Sequence, residues 1–93
     1  MVLRVRHDDK VSMLGALARI GRGEGVDLVL KAADVSRLHC RLSERGDMVE
    51  VEDLSEMGTE VNGERLLGGH RLTRPPLELK IGPFVLIIDI VVT

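Results

Sequence analysis

The chain has 93 residues, a formal net charge of −2, one cysteine and one aromatic residue, Phe84. That length predicts a single domain over residues 1–93, with one core and no need of a metal or cofactor to hold it together. Near-neutral charge argues against a general nucleic-acid or membrane-surface binder, and a lone aromatic leaves no platform for stacking bases.

In chain order, residues 1–6 alternate Leu3 and Val5 with Arg4 and Arg6, which predicts an edge strand. No apolar run with a cleavage site follows Met1, so no signal peptide is expected. Residues 7–10 form a charged turn. Residues 11–20 are ambiguous: Met13, Leu14, Ala16, Leu17 and Ala18 suit a helix, but Gly15 interrupts them and no cap precedes them, so a strand is favoured. Residues 21–25, Gly-Arg-Gly-Glu-Gly, have the wrong spacing for a dinucleotide fingerprint, and Glu24 would oppose a phosphate. They read as a turn into a short strand at 27–30.

A polar loop ends at Ser36 and Arg37. A strand from Leu38 to Ser43 follows, with Leu38, Cys40 and Leu42 on one face and His39 and Arg41 on the other. Residues 44–47 turn the chain, and their Arg-Gly-Asp reads as a hairpin, not an integrin ligand. Residues 48–52 form the next strand, with Val49 and Val51 inward. Residues 53–59 are a loop, and Asn62-Gly63 is a two-residue hairpin signal, because both positions tolerate positive φ. Turns at Gly68-Gly69 and at 74–76 precede a strand carrying Leu77, Leu79 and Ile81. After Gly82-Pro83 the last strand is apolar on both faces, which predicts either burial on both sides or a place near the centre of its sheet. Short strands with turns every six to twelve residues argue for an all-β sandwich.

No catalytic or metal constellation emerges, so neither an enzyme nor a metal or cofactor site is expected. His7, His39 and His70 share no ligand spacing, and His39 and Cys40, adjacent in a strand, point apart. Cys40 cannot form an internal disulfide, which fits a reducing compartment and a cytoplasmic location. The C-terminal apolar run is too short to insert in a membrane and contains Asp89. Ser36-Arg37 stands out: a forked, permanently charged donor beside a hydroxyl at a loop–strand junction is suited to gripping an anion.

Four separated segments, taken together, resemble the forkhead-associated (FHA) domain. They are Ile20-Gly21-Arg22; Asp27 to Leu30; Val35-Ser36-Arg37-Leu38-His39-Cys40; and Asp53-Leu54-Ser55 with Gly58-Thr59-Glu60-Val61-Asn62-Gly63. A later Ile81-Gly82 before an apolar strand also fits. The resemblance runs from about Leu17 to Val92. It implies an eleven-stranded β-sandwich whose loops at one end bind phosphothreonine peptides. By position, Arg22 would hold the peptide and the phosphate region, Ser36 would donate to the phosphate, and Arg37 would add charge. Gly58 and Thr59 would shape the neighbouring binding loop. Gly21 and His39 would support the site, His39 by bracing the Ser36 loop, and Asn62 and Gly63 would form a hairpin turn.

One position departs from the family. The pattern usually has Asn-Gly-Thr after Asp-Leu-Ser, and that Asn bonds the ligand backbone. Here Met57 stands in its place, and Met has no amide. Glu56 precedes it, where its charge can lie near the phosphate. The expected partner is a phosphothreonine-containing protein. The alternative is a non-phosphorylated partner, with the same fold used as an assembly block, as in domains of bacterial secretion-system rings.

Overall fold

The computed structural model describes residues 1–92 and shows eleven strands in two sheets. The strands are β1 (Val2–His7), β2 (Lys10–Leu14), β3 (Leu17–Gly21), β4 (Leu28–Val29), β5 (Cys40–Arg45) and β6 (Met48–Asp53). They continue with β7 (Thr59–Val61), β8 (Glu64–Leu66), β9 (His70–Thr73), β10 (Leu77–Ile81) and β11 (Phe84–Val91). One sheet runs β2-β1-β11-β10-β7-β8 and the other β4-β3-β5-β6-β9. Only β3 and β4 pair in parallel; the other registered pairs are antiparallel. No helix among the described residues is long and apolar enough to cross a membrane.

The core lies between the sheets and follows the period of two. Leu3, Val5, Leu79, Ile81, Leu86 and Ile88 come from the first sheet, and Ala18, Ile20, Cys40, Leu42, Val49 and Val51 from the second. Each is fully buried, so the inward residues of both sheets leave water together, at about 25 cal/mol per Å² of apolar surface removed. Leu30 and Val35 close one end of this core from a loop.

The all-β sandwich agrees with the alternation in the sequence; several details do not. β1 is not an edge strand: it lies between β2 and β11, and β2 forms the edge. The ambiguous stretch 11–20 is two strands in different sheets, and the chain crosses between sheets at Gly15-Ala16. That crossing is why no single period describes it. Leu38 precedes β5 and is exposed, so it does not share the face of Cys40 and Leu42. Of the two readings of the last strand, the central place holds: β11 lies between β1 and β10, while Val85 on its outer face is exposed. The Asn62-Gly63 turn has φ of 50° and 84°, as a two-residue hairpin requires. Asn62 also reaches β10: its backbone N donates to Glu78 O and its Oδ1 accepts from Glu78 N, both at 2.8 Å.

Candidate functional site

Three loops meet at one end of the sandwich: β3–β4, β4–β5 and β6–β7. Backbone hydrogen bonds stitch the first two together, since Arg22 N donates to Ser36 O (2.9 Å) and Gly23 N to Arg37 O (3.0 Å). The approach is close because Gly21 has no side chain. A Cβ on Gly21 would lie 2.1 Å from the carbonyl oxygen of Arg37. This is a steric reason for glycine at that position, independent of any ligand.

His39 joins the second loop to the third. It is fully buried, Ser36 N donates to its Nδ1 (3.1 Å), and its Nε2 lies 2.9 Å from Gly58 O. An acceptor at Nδ1 and a carbonyl opposite Nε2 together select the neutral imidazole protonated on Nε2. One ring therefore fixes both the backbone that presents Ser36 and the one that follows Met57. Its backbone N also donates to Ile20 O, and its carbonyl accepts from Leu54 N.

Asp53, part of the Asp53-Leu54-Ser55 segment but given no role from the sequence, is a second organiser. Its Oδ1 accepts from Ser55 Oγ (2.6 Å), Thr59 Oγ1 (2.8 Å) and Ser55 N (3.3 Å), and its Oδ2 accepts from Gly68 N (2.7 Å). Burial pushes its carboxyl pKa up, but the bonds from Gly68, Ser55 and Thr59 outweigh that and hold it below the ordinary value. The signal was present: an Asp with Ser two residues on is a common local side-chain-to-backbone motif. Ser55 Oγ extends the network by accepting from Gly58 N at 2.7 Å. Gly58 has φ of 91°, and a Cβ there would meet Arg65 Nε at 2.8 Å.

The cleft these loops frame has a volume of about 490 Å³ and brings together Arg22, Ser36, Arg37, Glu56 and Met57. Arg22 is exposed but aimed, because its Nε donates to Val35 O at 2.9 Å, which leaves its terminal nitrogens for a ligand. Ser36 Oγ accepts from Glu56 N at 3.2 Å, so its own proton is available to an incoming acceptor. Met57 is 61% exposed. Gly58 lines the adjoining cleft with Met57, Arg65 and Lys80. Thr59, expected to shape the neighbouring loop, is fully buried with its hydroxyl committed to Asp53. Asp34 also lines the cleft. Its carboxylate and that of Glu56 balance the two arginines, leaving the cleft with no net formal charge.

Cys40 lies beneath this end. Burial first, and the charge of Asp53 second, push its thiol pKa far up, so it stays protonated and poorly nucleophilic. No group of three or more metal-ligating side chains is gathered among the described residues.

The family model for the FHA domain matches residues 18–83 of the chain. Among curated proteins, none matches it in sequence. Among solved structures it is similar to Mycobacterium tuberculosis EmbR in complex with a low affinity phosphopeptide. There the identity is 26%, the TM-score is 0.87, and the match covers 99% of this chain and 25% of that one. It is also similar to the N-terminal FHA domain of S. cerevisiae Rad53p in complex with a phosphothreonine peptide, at 20% identity over 98% of this chain and 94% of that one, TM-score 0.86. An FHA domain from Chlamydia trachomatis superposes with a TM-score of 0.84 at 17% identity, covering 99% and 100% of the two chains. The last two likenesses speak to the fold.

Proposed function

Because the chain belongs to the FHA domain family, we propose that it is a protein-interaction module that recognises phosphothreonine peptides through its loop end. The observation that carries this reading is the convergence of Arg22, Ser36 and Arg37 in one open cleft. Neither arginine is paired with a carboxylate among the described residues. A phosphate carries about −1.5 to −2 charges and accepts charge-assisted bonds, which are roughly twice as strong as neutral ones. Two guanidinium groups and a hydroxyl match it. The solved complexes of EmbR with a phosphopeptide and of Rad53p with a phosphothreonine peptide support the same use of this fold. Residues 1–93 form the module, and a cytoplasmic setting suits its single buried thiol.

The grip is weaker than the family pattern because Met57 offers no amide and Asp34 and Glu56 oppose the phosphate. The test is calorimetric titration with an oriented phosphothreonine peptide library and then with its best member. The same peptide as phosphoserine and as free threonine provides the controls. Binding is expected only with the phosphorylated forms. Equal binding of the unphosphorylated peptide would replace this reading with a phosphate-independent contact centred on the exposed Met57.

A further inference from the structure

A second cleft, of about 840 Å³, shares Arg22 and Arg37 with the first but is not lined by Met57. Arg22 and Arg37 belong to both clefts, so the two are contiguous. Arg19, Lys31 and Glu24 complete the charged lining of the second, and Val26 and Leu38 supply apolar surface. The backbone of the strands that lead into it is already satisfied internally. Arg19 N donates to Asp27 Oδ2 at 2.8 Å, Asp27 N to Arg19 O at 2.9 Å, and Leu30 N to Gly21 O at 2.8 Å. Arg19 is further neutralised by Asp27, 3.5 Å away. Arg22, Lys31 and Arg37 have no carboxylate partner among the described residues. Against Glu24 they leave this cleft with a net formal charge of +2, whereas the cleft holding Ser36 has none. Arg22 and Arg37 count in both clefts, so the unpaired cation that the second cleft alone adds is Lys31, beside an arginine pair that the two clefts share.

We infer that this second cleft binds a second phosphorylated residue of the same peptide, so that the preferred ligand is doubly phosphorylated. The inference rests on the phosphothreonine reading of the first cleft. One phosphate over Ser36 meets Asp34 and Glu56 as well as the two arginines; a second phosphate in the second cleft meets Lys31 and the same arginines. An extended peptide advances about 3.3 Å per residue, so a partner phosphate about two to four residues away reaches across a shared arginine wall. Glutamate at that position offers the same chemistry with less charge and fewer acceptors.

The probe is a set of nine-residue peptides in an Ala/Ser background, each with a central phosphothreonine. A second phosphothreonine, a Glu or an Ala occupies each other position in turn. Calorimetry on the parent protein and on Lys31→Ala reads the affinities. Lys31 is exposed and lines only the second cleft, so its loss leaves the fold and the first cleft in place. A second phosphate at one position is expected to raise affinity about ten-fold over Ala, and Glu to raise it less. Lys31→Ala should erase most of that gain and leave the singly phosphorylated peptide within about two-fold. The gain should shrink in high salt. Binding of the singly phosphorylated peptide with no gain at any position overturns the inference and leaves the phosphothreonine reading standing. An equal loss for single and double phosphopeptides in Lys31→Ala also overturns it. Absence of binding by every peptide in the set removes the phosphothreonine reading and the inference with it.

Discussion

The outer face of the β4-β3-β5-β6-β9 sheet and the loop end carry the same kinds of charged residue and use them oppositely. On the sheet, Arg41 lies opposite Glu52 in the register, and the two side chains form an ion pair. Arg45 reaches Glu50 at 3.2 Å, and His70 sits 3.7 Å from Glu50 and 3.4 Å from Glu52. Regular pleating puts cross-strand neighbours in contact, so opposite charges there neutralise each other. At the loop end the backbone polar groups bond to one another, through Arg22 N, Gly23 N and His39 N, and the cations are left over. The pairing of a charge separates a surface that is merely solvated from one that awaits a ligand.

The largest expected effect comes from dismantling what holds the loop end apart from the sheet. Asp53→Ala leaves the Thr59 hydroxyl and the Gly68 and Ser55 amides without their acceptor. A loss of about 3 kcal/mol is expected, which for a domain of this size lowers Tm by roughly 12–24 °C, read by thermal denaturation. Acid should mimic the substitution. The folded carboxyl pKa lies below its unfolded value of about 3.9, so the stabilisation is complete above that value and is lost as pH falls through the folded one. Denaturant titrations of the parent below about pH 4 should show declining stability, and Asp53→Ala should show a shallower decline over that range.

Next come the cations and the hydroxyl themselves. Arg22→Ala and Ser36→Ala should each weaken phosphothreonine-peptide binding by roughly 10- to 100-fold with little change in Tm, because each removes about 1 to 3 kcal/mol of donor interaction at a half-buried or exposed position. A fluorescence-anisotropy titration checks this. Unchanged affinity in both variants would make the loop end as inert as the sheet face.

A smaller change, in the opposite direction, should follow Met57→Asn. One or two new bonds to the ligand backbone, at about 0.5 to 1.5 kcal/mol each, should tighten binding by roughly three-fold to ten-fold or somewhat more. Adding Glu56→Thr removes a like charge, and that part of the gain should fade in high salt. The smallest effect belongs to the sheet face. Arg45→Ala breaks a largely exposed ion pair and should cost less than about 0.5 kcal/mol, with peptide affinity unchanged.

What could be read from the chain follows the same division. Strand alternation at 48–52 and 77–81 is visible because one face is buried and the other wet, and Asn62-Gly63 announces its turn through backbone conformation alone. The arginines and Ser36 were legible through their chemistry and the family pattern. Asp34 and Lys31 were not, because what distinguishes them is a meeting of loops to which local sequence carries no pointer; of Asp53 only the bond to Ser55 was legible, and its hold on Thr59 and Gly68 was not. Leu38 misled for a related reason: alternation extrapolates across a strand end, while the structure begins β5 two residues later.

The single thiol, sealed beneath the binding loops, makes the chain its own clock. Cys40 is inaccessible while the sandwich is closed, so an alkylating reagent can consume it only during openings that expose β5. The labelling rate then counts those openings without any engineered dye. A ligand that binds only the closed form slows the count by the factor 1 + [L]/Kd wherever closing outruns labelling. Labelling with and without a peptide would therefore report its affinity from inside the protein, with no signal required of the peptide.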